Sequence, residues 1–200
     1  DFTGHGLAAA IGAMPMAQTF YSMSAKGFGM REVLSEINNK LKDILPIGVF
    51  CCACMIDLDM RGKKVEIWNG GLPDGYLFHS RSRQLSLLKS THLPLGVLSS
   101  RDFKTDTQVH EMQDGDRLFM WSDGILEAVN SRGEMFGEGR LRTLFENADS
   151  PSRLFTQVNE AVESFIGNEQ RADDLSFVEV TMVDQGDFEG TNVLPPKKAH

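Results

Sequence analysis

Val49-Phe50-Cys51-Cys52-Ala53-Cys54-Met55-Ile56-Asp57-Leu58-Asp59-Met60-Arg61-Gly62-Lys63-Lys64-Val65-Glu66-Ile67-Trp68-Asn69 is where this chain changes character. Residues 49–56 form an apolar run that reads as a buried strand, and 63–69 read as a second strand. Asp59-Met60-Arg61-Gly62 between them has the composition of a hairpin turn. Upstream, the pattern is helical. Residues 7 to about 23 are rich in Ala and Met with few charges, which predicts a largely buried helix, broken by Gly27-Phe28-Gly29. Val33, Leu34, Ile37, Leu41 and Leu45 then recur at helical spacing, so a second helix is expected over 30–45, closed by Pro46 and Gly48. Downstream, Gly70-Gly71-Leu72-Pro73 is a turn, and strands follow at 76–79, 84–88, 103–111 and 117–121. Helices are expected near 138–146 and 152–166, and a last strand at 175–183. Helices, a run of strands, helices again and a final strand describe an α+β layered fold, not a parallel βαβ array.

The composition narrows the function. With 200 residues the chain is long enough for one domain with a real core, expected over 1–183. Residues 184–200 are polar, with Gly, Pro and a Lys pair, and read as a flexible C-terminal tail. A net charge of -8 argues against nucleic acid as a partner, because a phosphate backbone calls for a basic footprint. No apolar run is long enough to span a membrane, and no signal segment opens the chain. The three cysteines, Cys51, Cys52 and Cys54, all lie in the first apolar run. Without a second Cys pair at ligand spacing they read as reduced core thiols, which places the protein in the cytoplasm.

The residues that carry chemistry are acidic. Asp1 opens Asp1-Phe2-Thr3-Gly4-His5-Gly6, Asp123 sits in Trp121-Ser122-Asp123-Gly124, and Asp173-Asp174 follows Arg171-Ala172. Carboxylates at strand ends beside glycine turns suit Mg²⁺ or Mn²⁺, which prefer oxygen ligands and keep several waters. Each has a plainer reading. Asp123-Gly124 alone is a common turn, Asp173-Asp174 alone is a solvated loop, and turn chemistry accounts fully for Asp114-Gly115-Asp116. Arg171 could grip a phosphate or pair with a surface carboxylate. His79, His92, His110 and His200 have no ligand spacing. Asn69 with Gly70-Gly71 reads as part of a tight turn.

Taken together, these segments resemble a family. Asp1-Phe2-Thr3-Gly4-His5-Gly6-Leu7-Ala8-Ala9-Ala10 looks like the opening metal motif of bacterial metal-dependent serine/threonine phosphatases of the protein phosphatase 2C superfamily, in the stage II sporulation protein E subtype. Asn69-Gly70-Gly71-Leu72-Pro73, Leu93-Pro94-Leu95-Gly96-Val97, Asp114-Gly115-Asp116, Ser122-Asp123-Gly124-Ile125-Leu126-Glu127-Ala128, Phe136-Gly137 and Asp173-Asp174-Leu175-Ser176 follow in the family's order. The resemblance implies an α-β-β-α sandwich, two antiparallel sheets flanked by helices, with two Mn²⁺ or Mg²⁺ ions at one edge. Asp1 would bridge both ions and the backbone carbonyl of Phe2 would ligate one. Asp123 and Asp173 would complete the shell with Asp174 close by. The ions would clamp phosphate oxygens and hold a water of lowered pKa that attacks phosphorus in line, without a protein nucleophile.

Two departures from the family stand out. Family members carry strands before the first metal-binding Asp, and these N-terminal strands are missing from this chain, as in a fragment. A free ammonium on Asp1 would disfavour cations beside it. The position two residues after the first Asp, where animal-type relatives carry a candidate general-acid His, is Thr3. His5 lies in the Gly-His-Gly pattern of the bacterial subtype, with proton transfer or loop ordering as its role.

The resemblance implies hydrolysis of phosphoserine or phosphothreonine on a bacterial regulatory protein, such as an anti-sigma-factor antagonist. The domain would be the output of a signalling chain with an N-terminal receiver or sensor domain, as in a two-component response regulator. Two alternatives compete: a catalytically weak phosphatase-fold adaptor that binds a sigma-factor-pathway partner, and a phosphatase for small phosphorylated molecules.

Overall fold

The computed structural model describes residues 1–3, 7–148, 151–169 and 174–183. His5, Arg171, Asp173 and the 184–200 tail therefore lie outside the described residues. Two helices come first, α1 (Leu7–Ser24) and α2 (Met30–Ile44). Six strands follow: β1 (Ala53–Asp59), β2 (Lys64–Gly70), β3 (Gly75–His79), β4 (Gln84–Leu88), β5 (Gln108–Glu111) and β6 (Arg117–Trp121). The short α3 (Asp123–Glu127), then α4 (Gly137–Glu146), α5 (Leu154–Ile166) and β7 (Phe177–Thr181) complete the order. All strand pairs are antiparallel, in a three-stranded sheet β1-β2-β5 and a four-stranded sheet β4-β3-β6-β7.

Period-two alternation along the strands sorts the interior into three layers. In β3, Tyr76 and Phe78 face the α4–α5 layer, while Leu77 faces the gap between the sheets. In β6, Phe119 and Trp121 face the helices, and Leu118 and Met120 face the gap. On the first sheet, Val65 and Ile67 face the gap, while Trp68 turns outward onto α2 with Met55 and Leu95. The expected α-β-β-α sandwich is therefore what the chain forms. Among the described residues, no helix is long and apolar enough to cross a membrane.

The structure corrects three expectations. The 7–23 segment is helical, but its described side chains, from residue 10 on, are not largely buried, since Met14 is 79% and Tyr21 71% exposed. Its Ala and Met richness hides a narrow stripe. Gly12 and Thr19 are buried, and among the described side chains of α1 only Met16 and Met23 join the cluster around α2. The first strand begins at Ala53, not Val49, and is half-buried because β1 is an edge strand. Cys51, ahead of it, instead exchanges backbone hydrogen bonds with Leu95 (3.0 and 2.8 Å). The strand expected over 103–111 shortens to Gln108–Glu111. There the backbone serves side chains: the indole Nε1 of Trp68 donates to the Lys104 carbonyl at 3.1 Å, and the Phe103 ring packs on Trp68.

α2 holds its expected register, with Val33, Leu34, Ile37 and Leu41 buried. Buried Asn38 ties it to the loop that follows β4. Asn38 Oδ1 accepts from Gly96 N (3.0 Å) and Nδ2 donates to the Leu98 carbonyl (3.1 Å). Gly96 takes φ +84°, a conformation that favours glycine.

Candidate metal centre

The first acidic residue is placed by a ladder with the segment before β1. Asp1 N donates to the Cys52 carbonyl (2.8 Å) and Cys52 N donates to the Asp1 carbonyl (2.7 Å). An opposed pair that exchanges both bonds carries its side chains on one face, with Cβ atoms about 5 Å apart. The Asp1 carboxylate and the Cys52 thiol thus share a face, and both line a cleft of about 760 Å³ with Cys54, Ile56, Met120 and Val178. Phe2 turns the other way, into the cluster around α2. Its ring lies against Gly12, where a Cβ would stand 2.3 Å away. Phe2 pairs with Cys51 as a non-hydrogen-bonded pair, so its carbonyl points off the ladder and meets no donor among the described residues.

The second acidic residue comes from the end of β6. The buried strand stops at Trp121, Ser122 adopts an extended conformation, and Asp123 opens α3. Ser122 fixes this corner to the segment before β7. Its N–H donates to the Ser176 carbonyl (3.0 Å), its Oγ donates to the Asp174 carbonyl (3.2 Å), and Ser176 N donates back to Oγ (3.1 Å). Gly124 lets the Asp174 backbone approach so closely that a Cβ would sit 2.4 Å from its carbonyl oxygen. Asp123 and Asp174 are thereby held beside one another through the backbone.

Asp174 lines the larger cleft with Asp1. Asp123 lines an adjoining cleft of about 370 Å³, and Leu72 and Trp121 border both. The two are electrostatically joined at Cys52. Burial pushes its thiol pKa up, and the Asp123 carboxylate raises it further. Burial likewise raises Cys51 and pushes Cys54 up to about 12, so the three free thiols stay protonated.

Do these residues fit divalent cations? Asp123 Oδ1 is buried and accepts no hydrogen bond, an arrangement that costs free energy unless a cation or donor meets it. The Asp1 carboxylate and the open Phe2 carbonyl add oxygen donors of the type Mn²⁺ and Mg²⁺ take. The donor set fits. Among the described residues alone, no three His, Cys, Asp or Glu side chains form a group that could hold an ion. Asp173, expected as the third ligand, and His5 lie outside the described residues.

Other motif residues hold structure. Asp116 is 3% exposed and spends its carboxylate on Ser80 N (2.8 Å), Ser80 Oγ (3.0 Å) and Gln113 N (2.8 Å), as the turn reading requires. Asn69 Nδ2 donates to the Pro73 carbonyl (3.0 Å) and so shapes the 70–73 turn, while its buried Oδ1 meets no donor. His92 stacks on Trp68 and His79 hydrogen-bonds Ser86. Cys52, Asp74 and Glu138 border the clefts without having been singled out from the sequence. Only the Asp1–Cys52 register identifies Cys52, and no sequence signal marks the other two.

A family model described as Stage II sporulation protein E (SpoIIE) matches residues 1–183. Phosphoserine phosphatase RsbP of Bacillus subtilis (strain 168) is 24% identical over 135 residues, which is 66% of this chain and 33% of RsbP. The chain therefore spans about a third of the length of that curated relative. The SiaA-PP2C domain of Pseudomonas aeruginosa superposes with a TM-score of 0.71 at 17% identity, over 90% of this chain and 73% of that one. The catalytic domain of the serine threonine protein phosphatase PstP, solved in complex with two manganese ions, superposes with a TM-score of 0.63 at 16% identity, over 92% of this chain and 86% of that one.

Proposed function

Because the chain belongs to the stage II sporulation protein E (SpoIIE) family, we propose that it is a metal-dependent protein serine/threonine phosphatase acting on a phosphorylated regulatory protein, in the cytoplasm, as the output domain of a longer signalling chain. The observation that carries this reading is the buried, unpartnered Oδ1 of Asp123, at a corner built to hold it beside Asp174. Support for phosphoserine as the substrate class comes from the relative RsbP, a phosphoserine phosphatase by name. Manganese in the similar PstP domain supports the choice of ion.

Asp1, Asp123 and the Phe2 carbonyl would hold the ions, with Asp173 as the further ligand and Asp174 nearby. Two such cations supply charge compensation for a phosphoryl group and a water acidic enough to ionise near neutral pH. The chain's own part is positioning. The Asp1–Cys52 pair sets the first carboxylate on the inward face. The Ser122–Ser176 pair fixes the second, and the apolar gap side chains Ile56 and Met120 limit water on one flank. No nucleophile from the protein is needed, and the protonated thiols are consistent with that.

The test is hydrolysis of a phosphoserine peptide and of an aryl phosphate, with Mn²⁺ and with excess chelator, in wild type and Asp123→Asn. Turnover that needs Mn²⁺ and falls at least about a hundredfold in the variant is the expected result. A folded, Mn²⁺-loaded protein without turnover on either substrate would reject the enzyme and favour an adaptor.

A further inference from the structure

The smaller cleft beside Asp123 has a charge and a shape that the phosphatase reading does not use. It is formed by the 71–74 turn, the floor residue Trp121, Leu126 of α3 and Glu138 in the first turn of α4. Leu72, Pro73 and Leu126 give it apolar walls. Asp74, Asp123 and Glu138 give it three carboxylates, and neither lysine nor arginine lines it. Asp123 is reserved for the centre, which leaves Asp74 and Glu138.

Asp74 spends one oxygen, Oδ1, on Ser90 N (2.7 Å), which orients the carboxylate and leaves its second oxygen for another donor. Glu138 makes no hydrogen bond or ion pair among the described residues. Arg142, one turn further along the helix, pairs with Glu146 (2.7 Å), and its charge also reaches Glu138. Trp121 is 4% exposed, and its indole N–H reaches no acceptor. A buried donor without a partner is rare and costs free energy. The cleft thus offers carboxylates for a cation and a greasy wall for its stem.

We propose that this cleft is a substrate-side subsite that takes a lysine or arginine side chain flanking the phosphorylated residue, with Glu138 and Asp74 as its specificity-determining carboxylates. The proposal rests on the phosphatase reading above. The long aliphatic stem of such a side chain lies on Leu72, Pro73 and Leu126 while its cationic head stays wet near the rim, as amphipathic side chains do. An acidic flanking residue meets like charge instead. Glu138 is exposed, so the gain is modest and weakens with salt.

The experiment compares phosphoserine peptides that differ only in one flanking residue, Arg, Ala or Glu, scanned across the positions on either side. The readout is kcat and KM with Mn²⁺ at low and high ionic strength. At one position the wild type is expected to favour Arg over Glu by about fivefold, through KM, and to lose most of this at high salt. Glu138→Gln should erase most of the preference, and Glu138→Lys should turn it toward the Glu peptide. Glu138 is the primary variant because Asp74 also holds Ser90. Equal KM for Arg and Glu peptides at every position in wild type would overturn the subsite, as would a preference that survives both Glu138 variants. Aryl phosphate turnover by the wild type separates this from failure of the phosphatase reading. If even that is absent, fluorescence anisotropy of the same peptides decides, with tighter binding of the Arg peptide in wild type but not in Glu138→Lys supporting the subsite and equal binding rejecting it.

Discussion

Gly124 shows how one missing side chain can place a carboxylate. Asp123 and the Asp174 backbone meet only because nothing projects from position 124, where a Cβ would stand 2.4 Å from the Asp174 carbonyl oxygen. Backbone does not yield as a flexible side chain does. Gly124→Ala should therefore destabilise the protein by about 1–3 kcal/mol in urea unfolding. It should also weaken Mn²⁺ binding by calorimetry, because relief of the clash moves the 174–176 segment off Ser122. Unchanged stability together with unchanged Mn²⁺ affinity would show that this corner does not position the ligands.

At the scale of elements, α1 acts on the centre through Gly12. The helix buries little, yet Gly12 receives the edge of the Phe2 ring, with Leu45 closing the other side at 3.0 Å from a Cβ. Phe2 is the chain neighbour of Asp1, and its ladder partner Cys51 is the neighbour of Cys52. Gly12→Val should push the ring outward and tilt the Asp1–Cys52 pair. The expected outcome is Mn²⁺ affinity lowered severalfold, with secondary structure by circular dichroism unchanged, since most of the described side chains of α1 are exposed. Equal Mn²⁺ affinity in the variant would mean that Phe2 adapts without moving Asp1.

At the scale of the whole molecule, stability depends on the layer between the sheets. Cys54 lies in that layer, where burial raises its thiol pKa from 9.0 to about 12. The unfolded chain loses this proton first, so the native state holds more protons between those two values. Stability then falls as pH rises from about 9 toward 12 and is fully present below 9. Urea midpoints at pH 8 and pH 10 should drop more for wild type than for Cys54→Ala, and equal drops would assign the loss to other groups. Cations that bind only the folded centre should in turn raise the melting temperature. Mn²⁺ at a hundredfold excess over its Kd adds about 2.7 kcal/mol. Asp123→Asn should abolish this shift while the variant still melts cooperatively, and a shift of wild-type size would remove Asp123 from the centre.

Local pattern by itself determined the layered α+β class, the α2 register and the limits of β6. These follow from periodicity, which each residue contributes independently of the distant chain. Motif order was enough to draw attention to Asp1, Asp123 and the Asp173-Asp174 pair, of which Asp173 lies outside the described residues. Contacts between distant segments decided the rest. The outward face of α1 was not legible, because Ala and Met look alike in core and on a surface until α2 covers only one stripe. The early end of the strand expected over 103–111 depended on Trp68 claiming the Lys104 carbonyl. The short α3 depended on Ser122 being held by Ser176, 54 residues away. Nor could spacing place Cys52 on the same face as Asp1, or gather Asp74, Trp121 and Glu138 around one cleft. Which side chains share a face depends on strand register across the sandwich, and register is settled by burial of the whole interior.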